Sequence, residues 1–207
     1  MKERGILIVV SGFSGSGKGT LMKELLQKYE EKYALSISAT TRGPREGEVD
    51  GREYFFKTKE QFEQMIAEDA LIEHACYVGN YYGTPKSYVM EQLEAGKNVI
   101  LEIEIQGALA VKEKFPDTLL LFVTPPSAQE LERRLRGRGT ETDEVIKSRL
   151  KRAVEEAEFM DRYDYILVND ELETCVQEMH ELIQAQRHKT SQNQEFIVEM
   201  KEDLKQF

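Results

Sequence analysis

The chain has 207 residues, 40% hydrophobic and 9% aromatic, which is enough for one large packed domain and unlike a disordered chain. A net charge of −10 argues against general nucleic-acid binding, which relies on a basic surface. No apolar run approaches bilayer length, and "GILIVV" near the start is too short and lacks the cleavage site of a signal peptide. Cys76 and Cys175 fit no metal-ligand spacing, and the histidines form no H-E-x-x-H pattern. These features suggest a cytoplasmic chain with reduced thiols and no protein-ligated metal.

In chain order, "GILIVVS" is a continuous apolar run that reads as a strand buried on both faces. A glycine-rich stretch follows, after which Leu21, Met22, Leu25, Leu26 and Tyr29 fall on one helical face. "ALSISAT" predicts a second strand, "TTRGPREGEVDGRE" a loop, "EYFF" a short strand, and "KEQFEQMIAEDA" a helix with Phe62, Met65 and Ile66 inward. "GNYYGTPKSYV" predicts a turn into a helix, with Thr84 as cap, Pro85 in the first position and Gly96 at the end.

"NVILEIEIQG" predicts a strand with Val99, Leu101, Ile103 and Ile105 on one face and Ile100, Glu102 and Glu104 on the other. "TLLLFVTPP" is a further buried strand, and "SAQE" a capping box that opens an arginine-rich helix. "RGRGTET" breaks that helix, and Thr142, Asp143 and Glu144 start another that runs to about Phe159. "YDYILVND" predicts the last strand and "ELETCVQEMHELIQAQ" the last helix, ahead of a polar tail over 188–207. This alternation predicts an α/β three-layer sandwich with a mostly parallel central sheet. Its core is expected over 1–35, 91–125 and 151–187, with an insertion at 36–90 and a small mobile lid at 126–150.

The stretch Gly12, Phe13, Ser14, Gly15, Ser16, Gly17, Lys18 matches G-x-x-x-x-G-K between a buried strand and an amphipathic helix, the context of a phosphate-binding P-loop. Its backbone N–H groups and the helix N-terminus suit a nucleotide's phosphates, and Lys18 can reach the β- and γ-phosphates. Gly19 stands where a Mg²⁺-binding hydroxyl is usual, with Thr20 next.

With "ATTRGPREGEVDGREYFF", "GNYYGTP", "EIEIQGA", "RLRGRGTET" and "VND" beside that loop, the chain resembles the guanylate kinase family over roughly residues 5–187. The resemblance implies transfer of a phosphoryl group from ATP to GMP, with Mg²⁺ as cofactor and 36–90 as the GMP-binding unit. It implies that residues 12–20 hold ATP with Arg134, Arg138 and Asn169, the last of these near the adenine. Arg42, Arg45, Tyr54 and Tyr82 would hold the GMP phosphate, a role for which a guanidinium fork is also chemically suited. By the same resemblance Ser38, Glu73 and Thr84 read guanine. Glu102 lies near the guanine or ribose side, and Glu104 near the reacting phosphates and Mg²⁺. Arg134, Arg138 and Arg149 close over the transferring group, with Arg149 also facing GMP. Lys18, Arg42 and these three arginines form the expected catalytic set, while Arg133, Arg136 and Arg152 match nothing and read as solvated.

The chain departs from the family pattern at Phe13, which replaces a usual proline, at Gly19, and at Glu104, where Asp is frequent. Two other readings are a catalytically inactive guanylate kinase-like module that binds protein, and a related sugar-phosphate kinase. The intact loop and arginines favour an enzyme over the first, and the guanine-reading set disfavours the second. A homodimer is left open; no nucleic-acid or membrane partner is expected.

Overall fold

The computed structural model describes residues 4–77, 79–137 and 142–207. Two sheets organise it. Strands β1 (Leu7–Gly12), β2 (Tyr33–Leu35), β7 (Asn98–Glu102), β8 (Leu119–Thr124) and β9 (Tyr165–Val168) form one sheet in the order β2-β7-β1-β8-β9, every pairing parallel. Strands β3 (Ser38–Thr40), β4 (Tyr54–Phe56), β5 (Leu71–Tyr77) and β6 (Asn80–Pro85) form the other in the order β4-β3-β6-β5. The helices are α1 (Lys18–Lys28), α2 (Lys59–Ala67), α3 (Lys86–Glu94), α4 (Ile105–Lys114), α5 (Ala128–Gly137), α6 (Asp143–Ala157), α7 (Leu172–Gln186) and α8 (Gln194–Asp203).

The parallel sheet is buried on both faces because Leu7–Val10, Val99–Leu101 and Leu119–Val123 of its central strands are unbroken apolar runs, odd and even residues serving different layers. Leu7, Val9, Val99, Leu101, Leu120 and Phe122 face Val89 and Leu93 of α3, Ala108 and Val111 of α4, and Ile146 of α6. Ile8, Val10, Ile100, Leu119, Leu121 and Val123 face Leu21 and Leu25 of α1 and Val176, Met179 and Ile183 of α7. The second sheet has its own small core of Ala39, Phe62 and Leu71. There α2 starts in a reciprocal box: Gln61 N donates to Thr58 Oγ1, and Thr58 N to Gln61 Oε1.

Five expectations change, one being that α7 is the last helix: α8 follows it in the tail. "ALSISAT" is two strands in different sheets: β2 pairs with β7, Ser36 N still donates to Ile100 O at 2.8 Å, and the chain then crosses to β3. "NVILEIEIQG" is a strand only to Glu102. Its neighbour β1 turns away into the glycine-rich loop, and the Ser11 hydroxyl donates to Ile103 O at 2.7 Å, so the ladder ends and α4 begins. "GNYYGTP" is not a simple turn but strand β6, hairpinned to β5. Thr84 lies within β6 and makes no cap; Pro85 itself is the N-cap of α3. Ser127 does cap its helix, its Oγ accepting from Glu130 N at 3.1 Å, but the Glu130 carboxylate bonds Arg133 and Arg134.

Behind the parallel sheet, His180 of α7 stacks on Tyr29 at 3.9 Å and shares a 2.7 Å hydrogen bond between its Nδ1 and the Tyr33 hydroxyl. Burial pushes the imidazole pKa below its ordinary value, and the Lys32 charge adds to this. Folding therefore favours neutral His180. Its contribution to stability is complete above about pH 6.5 and declines as the pH falls from there through the lower folded-state pKa. In melting curves at about pH 8 and about pH 5, His180→Phe should show a smaller Tm drop than wild type. Equal drops would remove His180 from the acid response.

Candidate functional site

The glycine-rich segment joins β1 to α1 at the carboxyl edge of the parallel sheet, where open α/β sheets bind ligands. Its shape depends on packing from three directions. Phe13 is buried and meets Phe122 edge-on at 5.0 Å, so the side chain that replaces proline ties the loop to the core. Gly15 has φ 94°, and a Cβ there would lie 2.9 Å from Leu135 Cδ2, so α5 packs directly on the loop. Gly17, φ 89°, would bring a Cβ within 2.5 Å of Asn169 Nδ2. Asn169 is buried and donates from that Nδ2 to Ser16 O at 2.9 Å. This residue, expected near an adenine, thus buttresses the loop.

The loop encloses a cavity of about 240 Å³ lined by Ser14, Gly15, Gly17, Lys18, Gly19, Thr20 and Glu102. Lys18 Nζ donates to Gly12 O at 2.6 Å and Phe13 O at 3.1 Å, which holds the ammonium at the loop. Arg149 of α6 donates from Nη1 to Ser14 Oγ, so one expected arginine already reaches the loop. Arg134 is held on its own helix by Glu130, 2.7 Å from its Nε. Arg133 and Arg134 together bring the Glu130 carboxyl down to about 2. Arg138 lies outside the described residues.

Of the two β7-end carboxylates, Glu102 rather than Glu104 lines the loop cavity. Glu104, 75% exposed, is paired instead with Arg152, whose sequence pattern alone reads as solvated. The early end of β7 accounts for the difference: Glu104 becomes the N-cap residue of α4, not a strand residue beside Glu102.

The second sheet presents a different set. Along β3, β4 and β6, alternation puts Ser38, Tyr54, Tyr82 and Thr84 on the face away from the Phe62 core. Tyr54 and Tyr82 meet edge-on, ring centroids 6.1 Å apart, and the Arg42 guanidinium lies 5.3 Å from the Tyr54 ring centre. Thr84 Oγ1 donates to Glu73 Oε1 at 2.7 Å. Burial raises the Glu73 pKa, and the bonds from the Thr84 hydroxyl and backbone only partly oppose this. Glu73 Oε2 would lie 3.5 Å from a Cβ on Gly107, which places the carboxylate against the first turn of α4. Arg45 is exposed, with its backbone N–H on Glu48. A larger cavity of about 390 Å³ lies elsewhere, lined by Phe55, Met65, Tyr88 and residues of α2. Phe55 points to the α2 side of its strand, so this cavity belongs to the opposite face of the second sheet.

A G-x-x-x-x-G-K loop at the carboxyl edge of a parallel sheet, next to a second sheet carrying arginine, tyrosines and a desolvated carboxylate, defines a P-loop α/β protein. The family model for guanylate kinase matches residues 4–186. A guanylate kinase of Bacillus subtilis is 53% identical over 189 residues, covering 91% of this chain and 93% of its own length. Another from Caldanaerobacter subterraneus is 48% identical over 203 residues, 98% of each chain. The crystal structure of guanylate kinase from Anaplasma phagocytophilum aligns with a TM-score of 0.69 at 32% identity, over 91% of this chain and 89% of that one. The chain belongs to the guanylate kinase family.

Proposed function

We propose that the protein transfers the γ-phosphoryl group of ATP to GMP, giving ADP and GDP, by direct in-line transfer without a phosphoenzyme. The observation that carries this reading is the placement of two surfaces on either side of one connection. Glu102 faces the phosphate loop at the end of β7, and Glu73 of the second sheet abuts α4, which starts three residues later. On this reading the loop and Lys18 hold the donor phosphates, Arg149 reaches toward the transferring group from Ser14, and Arg42, Arg45, Tyr54 and Tyr82 anchor the acceptor phosphate. Glu73 accepts from guanine N1–H and the 2-amino group. The Thr84 hydroxyl hydrogen is committed to Glu73, so donation to guanine O6 requires that hydroxyl to turn. Phosphoryl transfer asks mainly for positioning and charge neutralisation, which these groups offer.

The donor set fits a magnesium ion held chiefly by nucleotide oxygens and water. Among the described residues no cluster of three or more His, Cys, Asp or Glu side chains could hold a metal, while Glu102 and Thr20 border the loop cavity. When bound, Mg²⁺ would neutralise phosphate charge. We read 36–90 as the acceptor unit and the α5–α6 region as the lid. Among the described residues no helix is long and apolar enough to cross a membrane. A cytoplasmic location remains our reading. For a homodimer, the best supporting surface is the face of α8 that carries exposed Phe196 and Met200, four residues apart.

A screen of ATP against each nucleoside monophosphate, read by ADP release and product chromatography, tests the reading. GDP is expected as the main product. Turnover without GMP preference, or none with any monophosphate, would overturn it.

A further inference from the structure

The loop from Arg42 to Tyr54 contains a carboxylate that the reading above leaves without a role. Glu48 accepts from Arg42 Nη1 at 3.0 Å and from Nη2 at 2.9 Å, a two-pronged grip on the end of the guanidinium. Its Oε2 also accepts from the Arg45 backbone N–H at 2.7 Å. The pair is sequestered, with the Arg42 and Glu48 side chains 16% and 17% exposed. Arg42 Nη1 donates in addition to Gly43 O at 2.8 Å, and the Arg42 plane is set over the Tyr54 ring. Two bonds from Arg42 and one from the Arg45 amide hold the Glu48 carboxyl below the usual carboxylate range.

The geometry points to Glu48 as the residue that positions Arg42 for the acceptor phosphate; this rests on the GMP-kinase reading above. A guanidinium can grip an oxyanion by its Nη1/Nη2 end or by its Nε/Nη2 side. Glu48 and Gly43 take both Nη1 hydrogens and one on Nη2, so the end is committed to the protein. The Nε/Nη2 side edge faces away from Glu48, and since the Tyr82 hydroxyl also hydrogen-bonds this guanidinium, a phosphate would share that edge with Tyr82. Without Glu48 the long Arg42 side chain could sample many rotamers, and each productive encounter would have to order it again. Glu48 lowers the local positive charge, so its benefit must come from orientation. The same carboxylate fixes the Arg45 backbone, so both arginines expected at the phosphate are set by one group.

The alternative is that Glu48 occupies the phosphate's own place and must be displaced. The two roles predict opposite signs. If Glu48 positions Arg42, Glu48→Gln should raise KM for GMP about tenfold or more, with a smaller change in kcat and none in KM for ATP. Calorimetry should show weaker GMP binding but unchanged binding of guanosine, which lacks the phosphate. Glu48→Asp, which keeps the charge, should recover part of the loss. In an Arg42→Ala background Glu48→Gln should cost much less than in wild type, because most of its effect acts through Arg42 and only the Arg45 backbone contact remains.

Wild-type binding of GMP is the control. If wild type binds no GMP, the functional reading falls and this inference with it. If wild type binds GMP and the Glu48 variants bind it as tightly or more tightly, only the positioning role is overturned. Equal losses of GMP and guanosine affinity would likewise overturn it, by marking Glu48 as a support for the whole loop.

Discussion

GMP should be preferred over AMP by roughly four orders of magnitude in kcat/KM, and Glu73→Gln should remove most of that gap, chiefly by reducing GMP use. Guanine presents two donors to a carboxylate. Adenine presents a lone pair at N1 and no 2-amino group, so Glu73 would face repulsion and remain unsatisfied. The carboxylate is held in place by the Thr84 hydroxyl at 2.7 Å and partly desolvated, which suits the reading role we assign it. That desolvation raises its pKa, so ionised Glu73 weighs against the empty fold. The sign follows from linkage: the group favours the folded state below its ordinary pKa, and that benefit is lost as the pH rises through the raised value. Glu73→Gln should therefore melt at a higher temperature than wild type at pH 7, with the difference closing in acid. Paired kcat/KM values for GMP and AMP, with melting curves at two pH values, check both halves. An unchanged GMP-to-AMP ratio would remove Glu73 as the base reader.

Lys18→Ala should lower kcat by on the order of a hundredfold to a thousandfold, the size of one lost electrostatic contact to charge that grows in the transition state. The fold should survive. The ammonium is bonded to two loop carbonyls, Gly12 O and Phe13 O, at a partly exposed site where water can replace it. Steady-state rates at saturating ATP and GMP, with a melting curve, separate the two effects. Near-normal turnover would show that Lys18 does not reach the reacting phosphates.

Features fixed by local chemistry were legible in the sequence. The run from Ile6 to Val10, with a glycine-rich turn and an apolar helix face after it, specified strand, loop and helix in order. Thr142 with Asp143 and Glu144 marked the start of α6, where Thr142 is indeed the cap. Features that depend on which strand lies beside which were not legible. Alternation is the same in "ALSISAT" whichever sheet each half joins, so the crossing at Ser36 and Ile37 left no mark. Nothing in "NVILEIEIQG" says that its neighbour departs at Gly12, and with that the contrast between Glu102 at the loop and Glu104 on Arg152 was lost. "LIEHACY" has too broken an alternation to declare a strand, and its register with β6 shifts between Leu71 and His74. Glu48 was hidden differently: a glutamate in a charged loop looks solvated until its partner's position is known.

The chain leaves the parallel sheet after β2 and, by way of α3, returns in β7, which pairs directly with β2, Leu35 opposite Ile100; on the way the Tyr88 hydroxyl of α3 donates to Leu35 O at 3.4 Å. Strands β3 to β6 between them form their own four-stranded sheet with its own small core, while Ile72 of β5 joins the core of the parallel sheet. A segment with adjacent ends can be exchanged at little entropic penalty to its host, since the host's chain needs to bridge only a short gap. The second-sheet unit, which we read as the acceptor half, is thus built like a cassette. Mutation can remodel which base it accepts, and recombination can transplant it, while the donor half keeps its phosphate loop unaltered.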